Sequence, residues 1–229
     1  MTDDLIPPFI REWLQTLHPA SLEDAAGTPS TTAIFSADMI VGFLQVGPLS
    51  SPRVAALADS VAELFQRAWD QGIRQFVLVQ DSHDPRTPEF ESYPPHCQQD
   101  TDEAQTIERL ATLPFADAFT VIEKNSLNPA IATHFDDWLE MNRELTTAIV
   151  VGNCTDLCVY QLAMHLRMRA NALNIAEFRV IVPIDAVQTF DIPIDPVSEA
   201  GAAHPGDFFH TVFLYHMAQN GIDVLTRLT

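Results

Sequence analysis

Lysine is almost absent from this chain. Eleven of its twelve basic residues are arginine, and Lys124 stands alone among 229 residues. Basic residues as a class are scarce too, 12 against 31 acidic ones, which leaves a net charge of −19. So acidic a chain has no basic face with which to hold nucleic acid or an anionic membrane surface. Cysteine is nearly missing: Cys97, Cys154 and Cys158 are the three. An odd, small number argues for a reducing compartment, here the cytoplasm, rather than for a disulfide framework. No apolar run is long enough to span a bilayer, because polar residues interrupt every candidate. The acidic opening Met1-Thr2-Asp3-Asp4 lacks the basic region of a secretory signal. There is no internal repeat and no low-complexity segment.

What is present suits one large α/β domain. Hydrophobic residues make up 47% of the chain, enough for a sizeable core. Apolar runs read as strands at Thr32–Ala37, Phe76–Gln80, Phe119–Glu123, Ile149–Val151, Phe178–Pro183 and Gly221–Leu225. Helical spacing marks Ser51–Gln71, Thr101–Leu113, Ile131–Leu145, a stretch capped by Asp156 that reaches about Leu173, and Asp207–Asn220. Strand–helix–strand order with short links implies right-handed crossovers and parallel pairing. The expected fold is three-layer α/β/α around a mostly parallel, about six-stranded central sheet. Residues 1–30, with an amphipathic stretch from Leu5 to Leu17, are expected to form a helical extension and linker ahead of a domain at 31–229. Residues 41–49 read as a loop. Residues 191–206 read as a loop that covers the site or meets another subunit.

Chemistry gathers where strands end. Residues 148–159 read A-I-V-V-G-N-C-T-D-L-C-V, a buried strand broken by Gly152 and Asn153 and followed by a helix start. Cys158 falls in the first helical turn past the carboxyl end of that strand, where open α/β sheets bind ligands and where a helix N-terminus favours thiolate. Read alone, Cys158 fits better as one more buried small hydrophobe, the usual fate of a free cysteine. Asp38 ends the first strand as a cap or a catalytic acid, and Phe43 follows it as pocket wall or packing. After the second strand comes D-S-H-D-P at 81–85, then Y-P-P-H-C at 93–97. Asp81, His83 and His96 can hold a divalent ion such as Zn, Mn or Fe(II). Spacing alone slightly favours an Asx-capped turn and a loop histidine, and the long, stiff loop after a sheet strand favours a site. The lone Lys124 directly follows the third strand, at a place where an ammonium rather than a guanidinium is kept. Asp185 and Asp191 read as caps, and His210 and His216 as structural or surface residues. Four strand ends thus bring an acid, a metal-type cluster, an ammonium and a thiol to one rim, and that convergence favours a site over four separate structural roles.

Taken together, these motifs resemble the nicotinamidase and isochorismatase-like cysteine hydrolase superfamily, over roughly Thr31 to Leu225. The segment G-N-C-T-D-L-C-V at 152–159 is similar to that family's cysteine signature. D-S-H with the later P-x-H-C resembles its metal-containing nicotinamidase branch, and D-x-x-x-G-F at 38–43 the plant-type nicotinamidases. The resemblance implies an isochorismatase-like, Rossmann-like fold and a triad of Asp38, Lys124 and Cys158. It implies metal ligands Asp81, His83 and His96, with zinc the first expectation. It also implies a cis peptide between Asn153 and Cys154, whose backbone N–H, with that of Cys158, holds an oxyanion. Phe43, Tyr93 and Asn153 are the implied substrate contacts. The implied reaction converts nicotinamide to nicotinate and ammonia through a Cys158 thioester, in a homo-oligomer. The alternatives are an amidase acting on a carbamoyl or ureido compound, or a redox or metal-binding protein without catalysis. C-x-x-x-C lacks the spacing of thioredoxin-type redox motifs.

Overall fold

In the computed structural model, which describes residues 5–194 and 203–229, two short helices precede the sheet. α1 (Pro8–Gln15) starts on proline, whose fixed φ suits a first turn. α2 (Leu22–Ala26) is capped by Ser21, whose hydroxyl accepts from the Asp24 N–H at 3.0 Å. Phe9 and Trp13 of α1 both meet Tyr215 edge-on, and a bridge joins Ala20 to Leu228, so this region packs onto the C-terminal part of the chain.

The strands are β1 (Thr32–Ala37), β2 (Gln75–Asp81), β3 (Phe119–Lys124), β4 (Thr147–Asn153), β5 (Arg179–Pro183), β6 (Val187–Gln188) and β7 (Asp223–Leu225). They form one sheet in the order β3-β2-β1-β4-β5-β7, with β6 beside β4. Each strand pairing is parallel. Among the described residues the sheet has seven strands, in keeping with the about six expected; two-residue β6 is too short to show as an apolar run. Central β1 and β4 are buried at every position, as continuous apolar strands between two helical layers must be.

Alternate side chains sort to opposite faces. Ile34, Leu78, Ile149, Val151 and Ile181 meet α3 (Val41–Leu44), α4 (Pro52–Ala55), α5 (Leu57–Asp70) and α6 (Glu108–Ala111). Phe35, Val77, Val79, Val150 and Val180 meet α7 (Phe135–Met141), α8 (Cys158–Ala172) and α9 (Gly206–Gln219). That is the expected three-layer arrangement. Among the described residues, no helix is long and apolar enough to cross a membrane.

Several helices differ from the sequence reading. The 41–49 loop contains α3, and the helix expected at Ser51–Gln71 is interrupted at Ala56. The helix expected at Thr101–Leu113 shrinks to α6, because its first half is drawn to other partners. Val41 N–H donates to the Gln105 carbonyl at 2.9 Å, Gln80 Nε2 to Thr106 Oγ1 at 2.8 Å, and Ile107 N–H to the Met39 carbonyl at 3.1 Å. The helix expected from Ile131 begins only at Phe135. There Asn128 and Thr133 side chains accept from the N–H groups of Ala130 and Phe135, a local alternative to helical bonding.

Gly152 is held in place by sterics. Its φ is +107°, and a Cβ there would lie 2.0 Å from the Ala37 carbonyl oxygen on β1. Only glycine lets β4 approach β1 this closely at the end of both strands.

His210 of α9 bonds Thr155 Oγ1 at 2.8 Å, and burial pushes its pKa down to about 4. The unfolded chain therefore takes up a proton near pH 6.5 that the native state resists until about pH 4. Stability from this group is complete above pH 6.5 and is lost as pH falls through that window, by roughly 1–3 kcal/mol. Unfolding of the wild type and of His210→Gln at pH 7 and pH 4.5 checks this: the variant should lose less stability on acidification.

Candidate active site

The strand order reverses direction between β1 and β4: β2 and β3 extend to one side, β5 and β7 to the other. Such a switch point opens a crevice at the carboxyl ends of the strands. Asp38 follows β1 directly, with φ +50°, a left-handed conformation that aspartate tolerates better than most residues. Asp81 ends β2, and Lys124 ends β3 in register with it. Cys158 opens α8, just past β4.

These side chains meet. Lys124 Nζ lies 3.0 Å from Asp38 Oδ2, 2.5 Å from Asp81 Oδ1 and 3.4 Å from Cys158 Sγ. All four residues are buried. The Asp81 N–H donates to Asp38 Oδ1 at 2.7 Å, and Asn153 Nδ2 donates to the Asp38 carbonyl at 2.6 Å. Burial alone would strip the Lys124 proton, but the charges of Asp38 and Asp81 outweigh it and hold the pKa well above the ordinary lysine value. Burial and then the charge of Asp81 push Asp38 up to about 6, against the pull of Lys124. Burial and then the charge of Asp38 push the Cys158 thiol well above its usual range. This corrects the expectation of a helix-activated thiolate: partial charge at the α8 N-terminus is outweighed by desolvation and by a buried carboxylate. At neutral pH the cluster holds one ammonium, two carboxylates and a neutral thiol.

A second cluster shares Asp81. Ligand atoms of Asp81, His83 and His96 lie within 4.8 Å of one another. The chain returns to close it: His83 N–H donates to the Cys97 carbonyl at 2.9 Å, and Gln99 N–H to the His83 carbonyl at 3.0 Å. His83 Nδ1 faces Asn125 Oδ1 at 3.2 Å, and His96 Nδ1 faces the Pro94 carbonyl at 2.8 Å. Both partners are acceptors, so each Nδ1 carries a hydrogen, and in the neutral ring each Nε2 keeps its lone pair, the tautomer a metal needs. His83 Nε2 and Asp81 Oδ2 are buried without a hydrogen-bond partner among the described residues. A divalent cation fits these orphaned donors. Asp38, Asp81 and Cys158 also cluster, but the Lys124 ammonium already lies against all three.

Residues 32–227 match the family model described as the Isochorismatase domain. The chain belongs to the isochorismatase family. Nicotinamidase 1 of Arabidopsis thaliana is 26% identical over 222 residues, 87% of each chain. A cysteine hydrolase from Pseudomonas syringae pv. phaseolicola superposes with a TM-score of 0.71 at 20% identity, over 88% of this chain and 91% of that one. A nicotinamidase from Bacillus subtilis gives 0.66 at 22% identity, over 85% and 99%. These structures share the fold, and family membership makes the chain a hydrolase.

Placed on this isochorismatase-family fold, the residues expected from sequence divide by role. Phe43, Tyr93 and Asn153 all line the cavity beside Cys158. Asn153 also braces the acid, donating one of its two amide N–H groups to the Asp38 carbonyl. The Asn153–Cys154 peptide is cis. The N–H groups of Cys154 and Cys158 have no acceptor among the described residues. Asp156 does not cap α8; Leu157 occupies that position, and the Asp156 carboxylate meets His204 instead, at 2.8 Å. Asp191 caps as expected, accepting from Gly206 N–H at 2.7 Å, while Asp185 makes no site contact. Of the loop at 191–206, residues 195–202 lie outside the described residues.

Three neighbours have no sequence signal. Glu89 Oε1 lies 3.8 Å from His83 Nε2 and 4.0 Å from His96 Nε2, a further carboxylate beside the metal-type set. It is one acid among many in a proline-rich loop. Asn125, next to Lys124, orients His83. Phe190 lines the cavity from the stretch just after β6, ahead of the 191–206 loop.

Proposed function

We propose that this chain is a cysteine amidase that converts nicotinamide to nicotinate and ammonia. The observation that carries this reading is one buried cluster that presents a thiol, its base and a counter-ammonium beside two imidazoles with free Nε2 atoms. A relative described as a nicotinamidase supports it.

Asp38, ionised at neutral pH beside Lys124, takes the Cys158 proton as Sγ attacks the carboxamide carbon. Lys124, buried between the two, keeps the protonated Asp38 and the nascent thiolate compatible. The N–H groups of Cys154 and Cys158 hold the developing oxyanion, worth roughly 3–4 kcal/mol per donor. The C–N bond breaks as Asp38 returns the proton to the nitrogen, and ammonia leaves a Cys158 thioester. Asp38 then takes a proton from water, whose oxygen attacks the thioester carbon. Nicotinate departs and the thiol is restored. Asp81, His83 and His96, with Glu89 within reach, would hold a divalent cation, zinc first. When bound, such a cation offers a Lewis-acid position that orients the pyridine nitrogen. Phe43 and Tyr93 flank the ring. A carbamoyl or ureido amide has no ring nitrogen for this donor set and no use for aromatic walls.

Ammonia release from nicotinamide by zinc-loaded protein tests the reading, with a chelated arm and a ureido amide for comparison. Nicotinamide should turn over, activity should fall on chelation, and zinc should restore it. A folded, zinc-loaded protein that leaves nicotinamide intact sinks the reading. Asn125→Ala frees His83 Nδ1 and should weaken zinc binding about 10- to 100-fold. Competition against a zinc-chelating dye reads that loss; unchanged affinity would remove Asn125 from the account.

A further inference from the structure

Phe190 is fixed by more contacts than packing alone requires. One face of its ring is covered by His204, with centroids 3.9 Å apart and planes 18° apart. Phe209 stacks on the other face of His204, at 4.3 Å and 10°. The imidazole between two phenyl rings is itself tethered. Its Nδ1 lies 3.1 Å from the Phe190 carbonyl oxygen and its Nε2 2.8 Å from Asp156 Oδ2.

The backbone that carries Phe190 is held as firmly. Arg53 reaches the Thr189 carbonyl at 3.2 Å and Gln188 Oε1 at 3.0 Å. Ile192 and His204 exchange two backbone hydrogen bonds of 2.8 Å. A Cβ on Gly206 would lie 2.6 Å from the Phe190 carbonyl oxygen, so α9 begins against this strap with no room for a side chain. Phe190 is nevertheless a wall of the cavity, shared with Cys154, Leu157 and Cys158. A rigid aromatic wall favours a ring that can lie flat or edge-on against it, at no cost of ordering the wall on binding.

We infer that Phe190, its plane set by the His204–Phe209 stack, is a wall that selects flat aromatic amides over saturated rings of equal size, beyond what Phe43 and Tyr93 contribute. His204 acts as its positioning residue, through stacking rather than through the Asp156 hydrogen bond. The inference rests on the amidase reading only for where the amide lies.

Binding separates the two. Calorimetric titration of zinc-loaded Cys158→Ala protein with benzamide and with cyclohexanecarboxamide compares a flat and a puckered ring, neither with a ring nitrogen. Benzamide should bind about 3- to 10-fold more tightly. Adding Phe190→Leu or His204→Ala should lower that ratio toward unity. His204→Phe, which stacks but cannot bond Asp156, should keep it, and His204→Asn, which can bond but not stack, should lose it. Thermal midpoints identify any variant that fails to fold, and the Phe190→Leu and His204→Phe pair decides without His204→Ala. Equal binding of the two amides, or binding of neither, overturns the inference. So does a ratio kept by His204→Asn and lost by His204→Phe. Nicotinamide turnover by the wild type is a separate result and tests the amidase reading alone.

Discussion

Cys158→Ala should lower amide hydrolysis by at least about 10⁴-fold and leave the fold intact. Among the described residues, the Cys158 thiol is the proposed nucleophile and touches both the Lys124 ammonium and Asp38, and alanine offers no lone pair to the carboxamide carbon. The remaining donors can still bind substrate, so KM should change far less than kcat. Stability should barely move. Sγ is a small buried atom, and Lys124 keeps its ion pairs with Asp38 and Asp81 without it. A thermal midpoint within a few degrees of the wild type, with ammonia release gone, is the expected pair of results. Activity above one-hundredth of the wild type would remove Cys158 as nucleophile.

Lys124→Met should do the opposite to stability. Lys124 Nζ is the counter-charge for two carboxylates that are at most 1% exposed. Methionine fills much of the volume but supplies no charge. An uncompensated buried charge typically costs about 3–5 kcal/mol, or about 10 °C in a chain of this size. The pH dependence follows from Asp38, whose pKa already lies near 6 because burial and Asp81 raise it more than Lys124 lowers it. A carboxyl raised in the folded state costs stability above its unfolded pKa, and the cost grows until pH passes the folded value. Without Lys124 the folded value climbs further, so the native variant takes up a proton more readily than wild type. The stability gap should therefore narrow as pH falls from 8 to 5. Chemical denaturation of both proteins across that range reads it. A constant gap, or none, would mean that the cluster does not rely on this ammonium.

The strands were legible because buried parallel strands are continuous apolar runs, and the ends of β1, β2, β3 and β4 stood out by the residues placed there. Asp38, Asp81, Lys124 and Cys158 could be read in this way, since a strand end at a sheet rim is a local feature. His83 and His96 were legible as a spaced pair. Their metal-ready tautomers were not, because these depend on Asn125 and on a backbone carbonyl, brought close by folding. Helices at Thr101–Leu113 and Ile131–Leu145 were overestimated for the same reason: tertiary partners for Gln105, Thr106 and Ile107, and local bonds from Asn128 and Thr133, took over groups that a helix would have used. The raised thiol of Cys158 is not legible in the sequence, because the helix start is local, whereas burial and Asp38, which raise the pKa, come with the fold. Phe190 and His204 gave no signal at all. Their roles come from a ring stack that no spacing rule encodes.

In the proposed mechanism Cys158 carries the acyl group. Hydroxylamine added during nicotinamide turnover tests it most directly, because it competes with water for a thioester. Hydroxamate should form at the expense of nicotinate, in proportion to hydroxylamine, and Cys158→Ala should form none. Nicotinate as the sole product at every hydroxylamine concentration, or hydroxamate made equally by Cys158→Ala, would contradict a thioester on this residue.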